Sequence, residues 1–140
     1  MQIHPPSIIV KDTGTIKGRG AFAQSKILAG TLVEISPITV INAHISQLPD
    51  DLRCIVYCWG ELCRDGDALA IAHGYGCIYN HDHNANLRYS PDPVSKSMHY
   101  FAVRDIFPGE ELTINYNAVD GDPANLDPDC WFKRMGITQI

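Results

Sequence analysis

The sequence predicts a mainly β fold of small sheets with few short helices, and three observations carry that expectation. Gly and Pro are dense, 11 and 9 among 140 residues, and they cut the chain into short pieces. Many of those pieces are rich in β-branched and aromatic side chains at strand length. Only one stretch in the first half has the character of a helix.

The elements follow in order. Ser7–Val10 (SIIV) opens the chain as a strand, and Thr31–Ser36 and Ile38–Ile41 form two more, parted by Pro37. Ser46 caps a short helical turn through Gln47–Arg53, unless Pro49 starts it instead. Cys54–Trp59, Ala68–Ala72, His99–Val103 and Leu112–Tyr116 complete the expected strands. Val119–Asp129 reads as a turn-rich acidic loop, and Cys130–Met135 as a second short helix in an apolar, aromatic tail that folds back onto the domain.

Composition bounds the function without naming it. Apolar types make up 45% and charged types 19%, a globular balance that excludes a disordered chain. No apolar run approaches the roughly 18–20 residues of a membrane span. MQIHPPSIIV lacks the basic start and apolar core of a secretory signal, so a cytoplasmic or nuclear protein, host nucleus included, is expected. A net charge of −5 argues against a direct nucleic-acid binder, which needs a basic face, and suits a basic partner. The five cysteines, Cys54, Cys58, Cys63, Cys77 and Cys130, read as reduced thiols, with burial among apolar neighbours favoured over a zinc knuckle.

Three segments carry chemistry. Gly18-Arg19-Gly20 lets a backbone approach a ligand closely, although a tight turn explains the same residues. The run from Gly74 to Tyr89 packs Asn80, His81, Asp82, His83, Asn84 and Asn86 between strand-like pieces. It reads as a polar turn, or, with His73, as a set of metal ligands by type. The third segment is Gly109-Glu110-Glu111-Leu112-Thr113-Ile114-Asn115-Tyr116, a strand entered through Pro108-Gly109 and ending on a tyrosine.

In this order the three segments resemble the SET-domain protein-lysine methyltransferases. Gly18-Arg19-Gly20 matches the family's opening GxG, Asn80-His81 its central Asn-His motif, and Gly109–Tyr116 its closing GEELTxxY. Ala102–Ile106 matches the lead-in to Pro-Gly-Glu. The likeness spans about residues 8–118 as a SET domain, leaving 119–140 as a closing segment. It is nearest to the minimal SET proteins of large viruses and bacteria, which carry neither pre-SET nor zinc post-SET clusters.

The resemblance implies a β-clip-like fold with a C-terminal pseudoknot and a protein-lysine N-methyltransferase that draws on S-adenosylmethionine. Gly18, Arg19, Gly20, Asn80 and His81 would hold the donor, with Trp131 or Phe132 covering its adenine, and no metal is expected. Tyr116 matches the catalytic tyrosine, while Tyr57 and Tyr89 fall where relatives line the lysine channel. The implied partner is a protein or peptide with a target lysine, a histone tail among the candidates, and a homodimer is one expectation for so small a domain. Departures are Asp82-His83 after the Asn-His pair, Ala85 for the usual proline, and Ile114 where relatives place an aromatic that sets the methyl count. Two other readings stand beside this one: a SET-like peptide-binding module, and a metal-dependent hydrolase built on His73, His81, Asp82 and His83.

Overall fold

The computed structural model describes residues 7–53, 55–116, 118 and 121–124. Among the described residues nine strands form two sheets: β1 (Ile8–Asp12), β2 (Arg19–Ala23), β3 (Leu32–Ile41), β4 (Val56–Tyr57), β5 (Leu69–Ala72), β6 (Asn80–His81), β7 (Leu87–Asp92), β8 (Ser97–Ala102) and β9 (Glu111–Ile114). One sheet runs β1-β2-β9-β6 and the other β4-β5-β3-β8-β7. The expected mainly β class therefore holds. Leu87, Met98, Ile106, Leu112, Ile114 and the rings of Tyr79 and Tyr100 are almost wholly buried between these strands.

Several boundaries differ from the sequence expectation, each for a physical reason. β3 runs unbroken through Pro37 because the strand changes partner there. Leu32 to Pro37 face β8, and Ile38 to Ile41 face β5. A residue without an N–H is tolerated at that changeover, where the Pro37 carbonyl still accepts from the His73 amide. Cys54–Trp59 is not one strand: α1 (Asp50–Arg53) precedes β4, and α2 (Trp59–Cys63) follows it at once. The short turn before α1 is capped by His44, not Ser46. Its Nδ1 accepts from the Ser46 amide and Gln47 reaches back to the His44 N–H. α1 then starts from Pro49, whose carbonyl takes the Leu52 and Arg53 amides.

The Gly18-Arg19-Gly20 segment is more than a turn, since Arg19 and Gly20 already belong to β2, flanked by β1 and β9. β6 lies parallel to β9, pairing Asn80 with Thr113 and His81 with Ile114. That pairing brings two of the three sequence segments side by side, and β2 on the other edge of β9 brings the third. Beyond β9 the chain crosses to the second sheet, where the Gly121 carbonyl accepts from the Tyr89 amide. Gly121 has φ +84, and a Cβ there would lie 1.7 Å from the Tyr89 carbonyl oxygen, so only glycine fits the crossing. Trp131, Phe132, Cys130 and the expected second helix lie outside the described residues.

Candidate active site

One edge of the site is built on backbone. Gly18 adopts φ +74 with open space where a Cβ would stand, whereas a Cβ on Gly20 would come within 2.5 Å of Glu111 Oε2. The side-chain amide of Asn80 donates to the Arg19 carbonyl at 2.8 Å and to Glu111 Oε2 at 2.7 Å. Because β9 separates β2 from β6, Glu111 at its start touches both neighbours. Lys17 extends across this edge and donates from Nζ to the His81 carbonyl at 2.7 Å. The sequence reading missed Lys17 and Glu111 as members of the site. Glu111 was legible only as part of a motif, and nothing local to Lys17 announces a contact with a residue so far along the chain.

The loop that follows β6 takes a defined path despite Asp82-His83 and Ala85. Asp82 Oδ1 accepts the Asn84 amide, closing a local turn. Arg104 grips the loop from below, its guanidinium donating to the carbonyls of Asn84 (3.0 Å) and Ala85 (2.9 Å). Buried Asn86 acts as a one-residue strand, donating to the Glu111 carbonyl and accepting from the Thr113 amide.

The other side of the site is aromatic. Tyr116 donates its hydroxyl to the Tyr79 carbonyl at 3.1 Å and its amide to His81 Nδ1 at 3.1 Å. Tyr57 donates to the Gly76 carbonyl at 2.6 Å and lies 2.8 Å from the Tyr100 hydroxyl. The Tyr100 hydroxyl also reaches the Gly76 carbonyl, at 3.5 Å, so either hydroxyl can donate to the other. The rings of Tyr57 and Tyr89 meet edge to face at 5.4 Å, and the Tyr89 hydroxyl reaches the Asn115 carbonyl at 3.3 Å. Tyr57 and Tyr89 are in ring contact, and Tyr116 lies close enough to act electrostatically on Tyr57. Tyr79, Tyr100 and Glu34, which the sequence did not single out, form the wall behind them. Glu34 on β3 accepts the Tyr79 hydroxyl at 2.5 Å and the Tyr75 amide at 2.9 Å. Its signal was present as a lone acid in an apolar strand, LVEISP.

Electrostatics fix the protonation states. Burial, and then the neighbouring Tyr100, push the Tyr57 hydroxyl well above the usual phenol value. Burial does the same for Tyr79, with Glu34 next in effect, and burial dominates at Tyr100. These three are hydroxyl donors at neutral pH. Burial, reinforced by His83 and Lys17 and opposed by Asp82, pulls the His81 imidazole from 6.5 down to about 4. Neutral His81, accepting at Nδ1, carries its proton on Nε2.

Cys58, Cys63 and Cys77 are half-buried rather than fully buried, because they border α2 and the Gly74–Tyr79 turn near the surface. The metal reading finds no support in the placement of its residues. His73 bonds Thr39 Oγ1 across the β3–β5 pair, and among the described residues no three His, Cys, Asp or Glu gather around a common point.

Comparison with known proteins agrees with this geometry. Residues 18–117 match the model of the SET domain. A histone-lysine N-methyltransferase of Schizosaccharomyces pombe, specific for lysine 37 of H3, is 31% identical over 110 residues, covering 76% of this chain and 71% of the relative. Among solved structures, a Plasmodium falciparum protein described as a candidate histone methyltransferase superposes with a TM-score of 0.63 at 21% identity, over 81% of this chain and 95% of that one. A SET8 protein of Cryptosporidium gives 0.61 at 20% identity, over 80% of this chain and 58% of that one. Those two likenesses concern the fold. Strand topology, motif placement and the yeast relative converge: the chain belongs to the SET-domain family and is a protein-lysine N-methyltransferase, of a family whose methyl donor is S-adenosylmethionine.

Proposed function

We propose that this chain binds S-adenosylmethionine along Gly18, Arg19, Gly20, Asn80 and His81 and transfers its methyl group to a lysine entering past Tyr116, Tyr57 and Tyr89. One observation carries the reading. The Tyr79 carbonyl, the Asn80 side chain and the His81 carbonyl belong to three consecutive residues, so one short strand touches both the tyrosine cluster and the glycine edge. Empty space at the Gly18 Cβ position, with the Glu111 carboxylate bordering Gly20 as an acceptor for an ammonium, supports placing the donor's amino-acid end at that edge. When bound, the donor supplies an electrophilic methyl on a cationic sulfur.

The chain's own residues supply position and protonation. A free lysine has a pKa near ~10.4 and attacks only as the neutral amine. Desolvation among tyrosine rings, beside a second cation, lowers that value. The ring faces retain enough attraction for the cation to let it enter. Tyr57, held as a neutral hydroxyl, cannot serve as a base at neutral pH, so these side chains orient the amine while the proton leaves to solvent.

The substrate we favour is a basic histone-type tail. The yeast relative bears a histone-lysine name, and a net charge of −5 attracts a basic peptide. A nuclear or cytoplasmic setting and a homodimer accord with this reading. Transfer of labelled methyl from S-adenosylmethionine onto histones and isolated tail peptides, with the lysine located by mass spectrometry, tests it. Label on histone lysines is the expected result, and a purified chain that binds no donor at millimolar concentration would sink the assignment of the donor residues.

A further inference from the structure

We propose that Glu34 is a positioning residue for methyl transfer, holding the Gly74–Tyr79 turn so that its Gly76 and Tyr79 carbonyls meet the Tyr57 and Tyr116 hydroxyls. The inference rests on the reading that these two tyrosines line the transfer site. Glu34 is 2% exposed, and a carboxylate at that depth is costly unless hydrogen-bonded. Two bonds it accepts come from the turn, the Tyr75 amide near its start and the Tyr79 hydroxyl at its end. Bonds to an ionised acceptor are the stronger and shorter kind.

The turn is also packed too tightly to move independently. A Cβ on Gly74 would lie 2.7 Å from Glu34 Oε2, and one on Gly76 would lie 2.5 Å from the Tyr100 hydroxyl. Between those two glycine contacts and the two hydrogen bonds, the Gly76 and Tyr79 carbonyls have one place to be. Each then takes a tyrosine hydroxyl, at 2.6 Å from Tyr57 and 3.1 Å from Tyr116. Burying a carboxylate is a poor way to gain stability, since an apolar side chain of similar volume serves β3 at least as well. What the acid adds is a fixed position for two carbonyls on a different segment. Methyl transfer is an in-line displacement, in which a misplacement of about 1 Å costs on the order of 10²-fold in rate.

Glu34→Gln keeps the shape but puts an amide donor where one of the two donors already points, while its remaining oxygen still accepts the other. The expected result is a fall in kcat of about 10-fold or more, with the peptide KM and the calorimetric affinity for S-adenosylmethionine within about two-fold of the parent. Combined with Tyr116→Phe, the double variant should lose less than the product of the two single losses, because the share of the Glu34 effect that acts through the Tyr116 hydroxyl is already gone. An unimpaired Glu34→Gln beside a slow Tyr116→Phe overturns this inference and leaves the tyrosine assignment standing, as does a loss that multiplies fully in the double variant. A Tyr116→Phe enzyme with full transfer overturns both. If Glu34→Gln does not fold, Tyr79→Phe removes the same hydroxyl bond from the other side, and full kcat in that variant overturns the inference equally.

Discussion

The backbone amide of Tyr116 donates to Nδ1 of His81, 3.1 Å away. The bond ties the residue that ends the third sequence segment to the residue at the heart of the second, and it requires a neutral imidazole. His83, Lys17 and Asp82 face His81, and burial with the first two holds it down to about 4. An imidazole depressed in the folded chain binds more protons when unfolded, so stability rises with pH between about 4 and 6.5 and is lost as pH falls through that window. The loss should reach about 3 kcal/mol by pH 4, read by urea unfolding at a series of pH values. His81→Gln, which cannot titrate, should flatten the profile there; an unchanged slope would falsify the assignment.

Tyr116→Phe removes one hydroxyl and its bond to the Tyr79 carbonyl, leaving the His81 bond to the amide intact. The expected outcome is a fall in kcat of about 10²-fold with donor affinity preserved, measured by methyl transfer and by calorimetry.

Lys17 holds the His81 carbonyl that an adenine amino group is expected to approach. In the proposed binding mode the donor's amino group shares or competes for that carbonyl with the ammonium. Lys17→Met should therefore tighten S-adenosylmethionine by a few-fold, roughly 1 kcal/mol, in a titration at fixed ionic strength. Weaker binding would show instead that the ammonium swings over to the donor's carboxylate.

Asn86 is 2% exposed and its side chain closes two hydrogen bonds with β9. Asn86→Ala strands the Glu111 carbonyl and the Thr113 amide in the interior. A loss of about 2–4 kcal/mol is expected in denaturant unfolding with an unchanged m value. An alanine variant as stable as the parent would mean that β9 needs no such bridge.

Much of this was legible in the residues because local chemistry announces it. The apolar pieces behind β3, β5 and β8 are short, β-branched and bounded by Gly or Pro, and the order of the three motifs pointed to the SET domain over residues 18–117. What stayed hidden depends on partners far along the chain. β7 contains Arg88, Ser90, Pro91 and Asp92, which no propensity scale favours, and forms because it lies at a sheet edge against β8. α2 was hidden inside a run of apolar residues whose periodicity is too short to separate helix from strand. Lys17, Glu34 and Glu111 are ordinary charged residues until the folded chain brings them to His81, Tyr79 and Asn80.

The parallel pairing of β6 with β9 has a consequence for how the enzyme comes into being. Neither strand has a local partner, and each contributes only a few residues, so closing that pair means ordering the long intervening chain before any bond repays the loss. β7 and β8, lying between them in sequence, form a hairpin of their own. A nascent chain can thus own a folded second sheet while having no donor edge at all. Catalytic competence is a late event in folding for this architecture, and activity will report on complete assembly more faithfully than any probe of strand content.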